Sequence, residues 1–249
     1  MKKLLATVAL VGLCANAASA AELKSSVAGS TYNWSGVYGG VDLGFAKGDL
    51  SAIDETQPSG GFFTDLVPAG TEGFRFHDTN IAGGAHLGAQ FQWQQWVFGA
   101  ETSWTLTGVK KTIVSPYFPD SDTETGKLDQ YVTAVGRIGY AFGRTLIYAK
   151  AGYAGGNVDF KARDNDALVT YRKKDWQSGY AVGGGVDYAL TNSLILGLDY
   201  THIDLGSSTS TGNNVFDSGA LGANPETYKT NARADALMVR LTYKFSSFQ

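Results

Sequence analysis

The side chains with the clearest potential for chemistry are charged residues that recur on one parity of segments otherwise made of small or apolar residues. Because successive side chains of a β-strand point to opposite faces, residues of one parity share a face. Gly and Ala share the parity of the charges, whereas large apolar residues occupy the other parity. A barrel with a polar interior and an apolar exterior produces this pattern. The charged set comprises Asp42, His86, Glu101, Arg137, Lys150, Asp187, Asp199 and Arg240, with Lys244 as a further candidate.

Charges inside a narrow barrel allow two functional interpretations. Eight strands enclose an interior that side chains can just fill, and an unpaired charge in that low-dielectric space is strongly unfavourable. This favours a salt-bridged plug that holds the barrel shut. The alternative is a narrow, gated polar path for water or small ions, because the Gly and Ala residues of the same parity leave room. Neutralising Arg137 or Glu101 would change the conductance only in the second case.

The histidines do not support catalysis. A hydrolytic site needs a histidine base beside a serine nucleophile. His77 falls in a predicted loop, His86 falls in the predicted interior, and His202 has no serine two residues away. We therefore predict no enzymatic activity.

Metal and haem sites have weak support in the residue pattern. The only cysteine, Cys14, lies in the N-terminal apolar segment, and three scattered histidines match no usual ligand spacing. We therefore predict no metal site and no resident cofactor. A loop side chain could still coordinate haem iron, and the candidates for that role are His77, Tyr117 and Tyr228.

Eight strands are predicted to carry these side chains. The clearest pair lies within 176–206, where two alternating segments flank a predicted tight turn at Thr191-Asn192. The predicted strands span about 34–46, 79–93, 96–106, 128–142, 145–158, 176–189, 194–205 and 233–245. This pattern predicts an all-β fold, an eight-stranded antiparallel transmembrane up-and-down β-barrel.

The chain order predicts an exported protein with one barrel domain. Residues 1–20 have the features of a cleaved signal peptide, since Lys2 and Lys3 precede an apolar run that ends near Ala18-Ser19-Ala20. The further segments are a periplasmic lead-in at 21–33, the barrel at 34–245 and a C-terminal tail at 246–249. Long surface loops are expected at 47–78, 109–127, 161–175 and 206–232. Their alternation with short turns predicts short turns in the periplasm and long loops outside the cell.

The overall charge argues against nucleic acid as a partner. The chain has 20 Lys and Arg against 23 Asp and Glu, which gives a net charge of −3. Loss of Lys2 and Lys3 with the signal peptide would change this to −5. Nucleic-acid binding requires a basic surface that neutralises phosphates, so this class of partner is not expected.

Aromatic residues cluster near the predicted strand ends, where a ring with a polar edge suits a membrane interface. The predicted interface residues are Trp34, Trp93, Trp96, Trp104, Tyr140, Trp176, Tyr188, Tyr243 and Phe245. A soluble sandwich or lipocalin-like barrel with an aromatic core is the alternative. The small residues of the interior parity and the loop asymmetry favour the membrane, so contact with outer-membrane lipids and lipopolysaccharide is expected.

Five segments together resemble a known family. They are WSGVYGGVDLGFA, FGAETSWTLTG, VGRIGYAFGRTLIYAKAGYAGG, AVGGGVDYALTNSLILGLDYTHIDLG and VRLTYKF. They resemble the small outer-membrane immunogenic proteins of Gram-negative bacteria, a porin family with an OmpA-type eight-stranded barrel. The likeness covers all predicted strands in order and fails in the loops.

The resemblance implies an exported surface protein of the outer membrane with a mainly structural role: outer-membrane integrity, loop display and action as an immunogen. It leaves open a narrow small-solute porin, binding of haemin or a host ligand by the loops, and a homo-oligomer. It also implies the outer-membrane assembly machinery as a partner, which is thought to read a terminal aromatic residue. Here Phe245 is followed by Ser246-Ser247-Phe248-Gln249, which departs from the family pattern.

Overall fold

The computed structural model describes residues 32–56 and 70–246. The predicted signal peptide, residues 21–31 of the predicted lead-in, residues 57–69 of the first predicted loop and residues 247–249 of the tail lie outside the described residues.

Eight antiparallel strands form a closed barrel in which each strand pairs with its neighbours in the chain and β8 returns to β1. The strands are β1 (Gly36–Asp54), β2 (Thr71–Trp93), β3 (Trp96–Val114), β4 (Asp122–Phe142), β5 (Thr145–Asp164), β6 (Val169–Ala189), β7 (Leu194–Phe216) and β8 (Leu221–Ser246). The predicted fold class is confirmed. No helix among the described residues is long and apolar enough to cross a membrane.

Strand alternation separates an apolar exterior from a packed interior. In β8, Leu237, Val239 and Leu241 are exposed on the outer face, whereas Met238 and Arg240 are buried inside. The same alternation in every strand produces a continuous outward apolar band, because each side chain follows the pleat.

Small residues let β1 close the barrel against β8. A Cβ atom at Gly40 would overlap the carbonyl oxygen of Leu241, and one at Gly44 would overlap that of Leu237. The Gly and Ala residues of the interior parity therefore permit the close strand approach that a narrow barrel requires.

The two ends of the barrel differ. At one end, named here the turn end, β2 joins β3 through Gln94–Gln95 and β4 joins β5 through Gly143–Arg144. Gly143 has a φ of +61°, which glycine adopts readily. The predicted two-residue turn at Thr191-Asn192 is wrong, since β6 ends at Ala189 and β7 begins at Leu194.

The predicted loop boundaries at the other end, named here the extended end, are also wrong. Large parts of 47–78, 109–127, 161–175 and 206–232 belong to strands, so the connections there shorten to 115–121, 165–168 and 217–220. The strands continue beyond the apolar band, where polar residues face outward and apolar residues such as Phe76 and Phe160 face inward. In these parts the sequence lacks the outward apolar residues that are typical of a membrane strand, although the backbone hydrogen bonds between strands continue.

Candidate functional site

The eight predicted interior charges meet inside the barrel, and each strand contributes one of them. We name this set the central charge cluster. In chain order from β1 to β8 its members are Asp42, His86, Glu101, Arg137, Lys150, Asp187, Asp199 and Arg240. Seven of the eight are buried outright, and the side chain of Asp42 is only 8% exposed.

Arg137 connects strands that are not neighbours. Its guanidinium donates to Glu101 Oε2 on β3 at 2.8 Å and to Asp187 Oδ2 on β6 at 2.8 Å. It also donates to the Tyr38 hydroxyl at 2.7 Å, and it lies 3.8 Å from the centre of the Tyr148 ring. These contacts cross the bore, so a single side chain ties β1, β3, β4, β5 and β6 together.

Arg240 makes a second set of cross-bore contacts. It lies 3.0 Å from Asp42 Oδ1, 2.9 Å from Glu101 Oε2 and 3.7 Å from Asp199 Oδ2. It also donates to the Tyr148 hydroxyl at 3.2 Å. Glu101 therefore lies between two arginines, which compensates the cost of burying its charge.

Lys150 and Asp199 complete the cluster on the β5 and β7 side. Lys150 Nζ lies 2.6 Å from Asp199 Oδ1, and the Tyr148 hydroxyl donates to Asp199 Oδ2 at 2.6 Å. Tyr148 and Tyr38 were absent from the predicted charge set, although both share its parity. Their hydroxyls link the ions, and parity combined with a phenol group is the signal that could have identified them.

Thr242, His86 and Asp42 are arranged like the nucleophile, base and acid of a hydrolytic triad. The Nδ1 atom of His86 lies 2.9 Å from Asp42 Oδ1, and its Nε2 lies 2.9 Å from the Thr242 hydroxyl. His86 is buried in the bore, however, and Asp42 is also bound by Arg240. A hydrolytic site needs space for the scissile bond beside the hydroxyl, so this trio is better explained as packing of the cluster.

The cluster leaves almost no open space. A cavity of about 20 Å³ lies beside Glu101, Lys150 and Arg240, which is close to the minimum of roughly 10–15 Å³ needed for one water molecule. Two buried polar atoms of the cluster, Arg137 Nε and Asp187 Oδ1, have no hydrogen-bond partner among the described residues. The centre of the barrel therefore resembles a filled interior rather than a channel.

An apolar plug blocks the bore on the extended-end side of the cluster. We name it the aromatic plug: Phe74, Phe76, Phe160, Tyr171 and Tyr228. Phe160 on β5 stacks on Phe74 of β2 at 5.8 Å and contacts Tyr228 of β8 at 5.2 Å. Because these strands are not neighbours, the contacts cross the bore and close it.

Glu124 lies inside the same extended end. Its side chain is buried, and burial raises its pKa from 4.5 to about 7, with a further increase from Asp122 and an opposing hydrogen bond from Ser115. Its Oε2 has no hydrogen-bond partner among the described residues. A carboxyl with this pKa holds a proton under mildly acidic conditions, which avoids a buried negative charge beside Asp122.

A second apolar layer closes the turn end. Its buried members are Tyr32, Trp34, Val97, Ala141, Leu146, Tyr148, Ala189 and Ile195. Trp34 is fully buried, packs 4.8 Å from Tyr32 and donates its indole N–H to the Gly143 carbonyl. The prediction that Trp34 lies at the membrane interface is therefore wrong. Trp34 precedes β1, so strand alternation does not direct its side chain outward.

The comparison with known proteins decides the family. Residues 5–245 match the family model described as the outer membrane protein beta-barrel domain. The chain belongs to this family. It is 29% identical, over 188 residues, to the 31 kDa outer-membrane immunogenic protein of Brucella melitensis, and the match covers 71% of this chain and 73% of the relative. The location of this protein is the cell outer membrane.

Solved outer-membrane structures share the fold. The outer membrane protease OmpT from Escherichia coli has a TM-score of 0.55 at 11% identity, covering 84% of this chain and 97% of its own. The outer membrane protein OprG from Pseudomonas aeruginosa has a TM-score of 0.52 at 13% identity, covering 86% and 97%. At these identities the likeness establishes the barrel architecture alone.

Eight of the nine predicted interface aromatics lie on the outward face of this outer-membrane barrel. They are Trp93, Trp96, Trp104, Tyr140, Trp176, Tyr188, Tyr243 and Phe245. Trp96 and Tyr140 pack edge to face at 5.3 Å near the turn end. Toward the extended end, Trp104 donates to Gln130 at 3.0 Å. The rings thus occur near both edges of the apolar band, as membrane-interface belts do.

The predicted haem candidates do not form one site. His77 is exposed on the outer face of β2, where its ring lies 3.4 Å from Asp49, whereas Tyr228 is buried in the bore and donates to Glu226. Tyr117 lies in the connection between β3 and β4 and packs against the apolar interior. Within the described part of the chain, no group of three His, Cys, Asp or Glu side chains could hold a metal ion.

Proposed function

We propose that this protein is a sealed, non-catalytic structural barrel that maintains the outer membrane and displays its extended end at the cell surface. The observation that carries this proposal is the filling of the bore by three successive layers: the aromatic plug, the central charge cluster and the apolar layer at the turn end. Side chains can fill an eight-stranded barrel without leaving a passage.

The porin interpretation has less support. An ion path would have to pass the buried rings of the aromatic plug and the Trp34 layer as well as the charges. Neutralising one charge, such as Arg137, leaves both apolar layers in place. The charged interior is thus better explained as a clamp that joins all eight strands.

The display role is supported by the extended end and by the relatives. The strands project beyond the apolar band, and three of the connections between them span only 115–121, 165–168 and 217–220, so the strands form a platform. One relative is named an immunogenic protein of the outer membrane. With the extended end outside the cell, this platform is the part available to antibodies.

The proposal predicts a barrier defect when the gene is deleted from its parent bacterium. We expect increased uptake of a hydrophobic dye such as N-phenylnaphthylamine and poorer growth on SDS. The wild-type chain and a variant with residues 57–69 replaced by a short Gly-Ser linker should both restore the barrier, because the barrel itself provides the function. An intact barrier in the deletion strain, or restoration by the wild-type chain alone, would contradict the proposal.

A further inference from the structure

The outer face of β3 to β6 carries two rows of basic residues just beyond the apolar band. Leu106, Gln130, Asn157 and Trp176 are successive cross-strand partners and form the last row of the band. The next outward row toward the extended end is Lys110, Lys127, Asp159 and Lys174, again partnered in that order. The row after that includes Lys161 opposite Arg172.

Like charges lie directly opposite each other in these rows. Lys110 pairs with Lys127 across β3 and β4, and Lys161 pairs with Arg172 across β5 and β6. Side chains in such positions have Cβ atoms about 4.5–5.5 Å apart, and like charges there are destabilising. Within the described ranges, Lys110 and Lys161 make no ion pair within 4.0 Å with a carboxylate. A bound anion would remove this repulsion.

The carboxylates on this face do not balance its positive charge. Asp159 binds Arg172 through two hydrogen bonds of 3.1 and 2.6 Å, and Asp129 binds Lys127 and Lys174. Asp78 borders the face and accepts the backbone N–H of Lys110. We name the five bases of the two rows the basic ladder: Lys110, Lys127, Lys161, Arg172 and Lys174. Against these five bases, Asp129 and Asp159 leave the two rows with an excess of three positive charges, or two when the bordering Asp78 is counted.

On the opposite face, formed by β7, β8, β1 and β2, the charged residues beyond the apolar band are arranged differently. There Arg233 of β8 lies opposite Asp204 of β7 and Asp49 of β1, and Asp49 lies opposite His77 of β2. Asp235 of β8 lies opposite His202 and Lys47 in the same manner. Acids and bases therefore alternate across these strands and neutralise each other. The excess charge on β3 to β6 is a local property of that face.

We propose that the basic ladder binds the phosphate groups of a phosphorylated outer-leaflet lipid. The first row of the ladder is the next outward row after the one that contains Trp176. Tryptophan side chains favour the membrane interface, so this first row lies at the level of the lipid headgroups when the extended end lies outside the cell. Arginine and lysine form strong charge-assisted hydrogen bonds with phosphate. This inference goes beyond the sealed barrel, since it assigns an annular lipid site to one face and depends on the outer surface alone.

The test measures binding of purified bisphosphorylated lipid A to the refolded full chain in phosphatidylcholine nanodiscs, counted by native mass spectrometry. The variant is K110Q with K161Q, because these two lysines have no carboxylate within 4.0 Å in the described part of the chain and the barrel should refold. The matched control is K47Q with R233Q, which removes two charges from the opposite face. We expect about tenfold weaker binding for the first variant and less than a twofold change for the control.

Several outcomes would overturn the lipid assignment. Equal weakening in both variants would show that general positive charge, not this face, determines binding. Unchanged binding of lipid A to the K110Q, K161Q variant would show that the basic ladder is not the binding site. Inorganic phosphate that binds as tightly as lipid A would identify a soluble anion as the ligand. If the variant does not refold, the wild-type chain still tests the idea, since binding that persists unchanged in 0.5 M salt excludes a charge-based site.

Discussion

Replacing Arg240 with methionine is expected to lower the free energy of unfolding by about 3–5 kcal/mol. Arg240 lies between the buried Glu101 and Asp42, whose side chain is only 8% exposed, and is also close to Asp199. Removing the guanidinium leaves these carboxylates in a low-dielectric interior with fewer cations, and the loss of one partner of a buried ion network has costs of this size. Urea unfolding in detergent or lipid vesicles, followed by heat-modifiable migration, measures the effect.

The control for this prediction is Arg233→Met. Arg233 forms an ion pair with Asp204 at 2.9 Å, but its side chain is 65% exposed. Exposed pairs contribute about 0–1 kcal/mol, so this variant should unfold almost as the wild type does. The double variant Arg240→Met, Glu101→Gln should be more stable than Arg240→Met alone. The second substitution removes the negative charge of Glu101, which loses its Arg240 partner in the single variant. Similar effects of Arg240→Met and Arg233→Met would refute the clamp role of the cluster.

Replacing Val239 with arginine is expected to destabilise the barrel in lipid by about 2–4 kcal/mol. Val239 lies outward on β8, halfway between Tyr243 near the turn end and Asp235 at the other edge of the apolar band, and it is 54% exposed. An arginine there must place its charge near the bilayer midplane. Unfolding in phosphatidylcholine vesicles measures the change.

The matched control introduces the same charge outside the membrane. Ala167 lies in the exposed connection between β5 and β6, and its backbone N–H donates to Asp164, a bond that Ala167→Arg preserves. We expect Ala167→Arg to change stability by less than about 0.5 kcal/mol. Equal, small effects at both sites would mean that the outward face of β8 does not contact lipid.

The barrel and its interior charges could be predicted from the sequence because both follow from parity. A period of two fixes which side chains share a face, so Glu101 and Arg137 could be assigned to the interior without coordinates. Their pairing could not be predicted, because contacts across the bore depend on the register between distant strands. The link from Arg240 to Glu101, for example, joins β8 to β3.

Strand length and the plugs were harder to predict for a different reason. Beyond the apolar band the exterior meets water and the interior becomes apolar, so Phe74 and Phe160 face inward while polar residues face outward. This pattern predicts a loop, because it lacks the alternation of apolar outward and polar inward residues that is typical of a membrane strand. The buried position of Trp34 does not follow from the sequence, because the segment before β1 lacks strand alternation and the burial depends on contacts with Tyr32 and Gly143.

Single-channel recording tests most directly whether the bore is sealed. The refolded full chain, shown to be folded by heat-modifiable migration, would be inserted into planar bilayers beside an Arg137→Ala variant. We expect no discrete openings from either protein, because the aromatic plug and the Trp34 layer remain when the charge is removed. Discrete openings from the wild type, with a conductance altered by Arg137→Ala, would show that the charges line a continuous path and would contradict the sealed barrel.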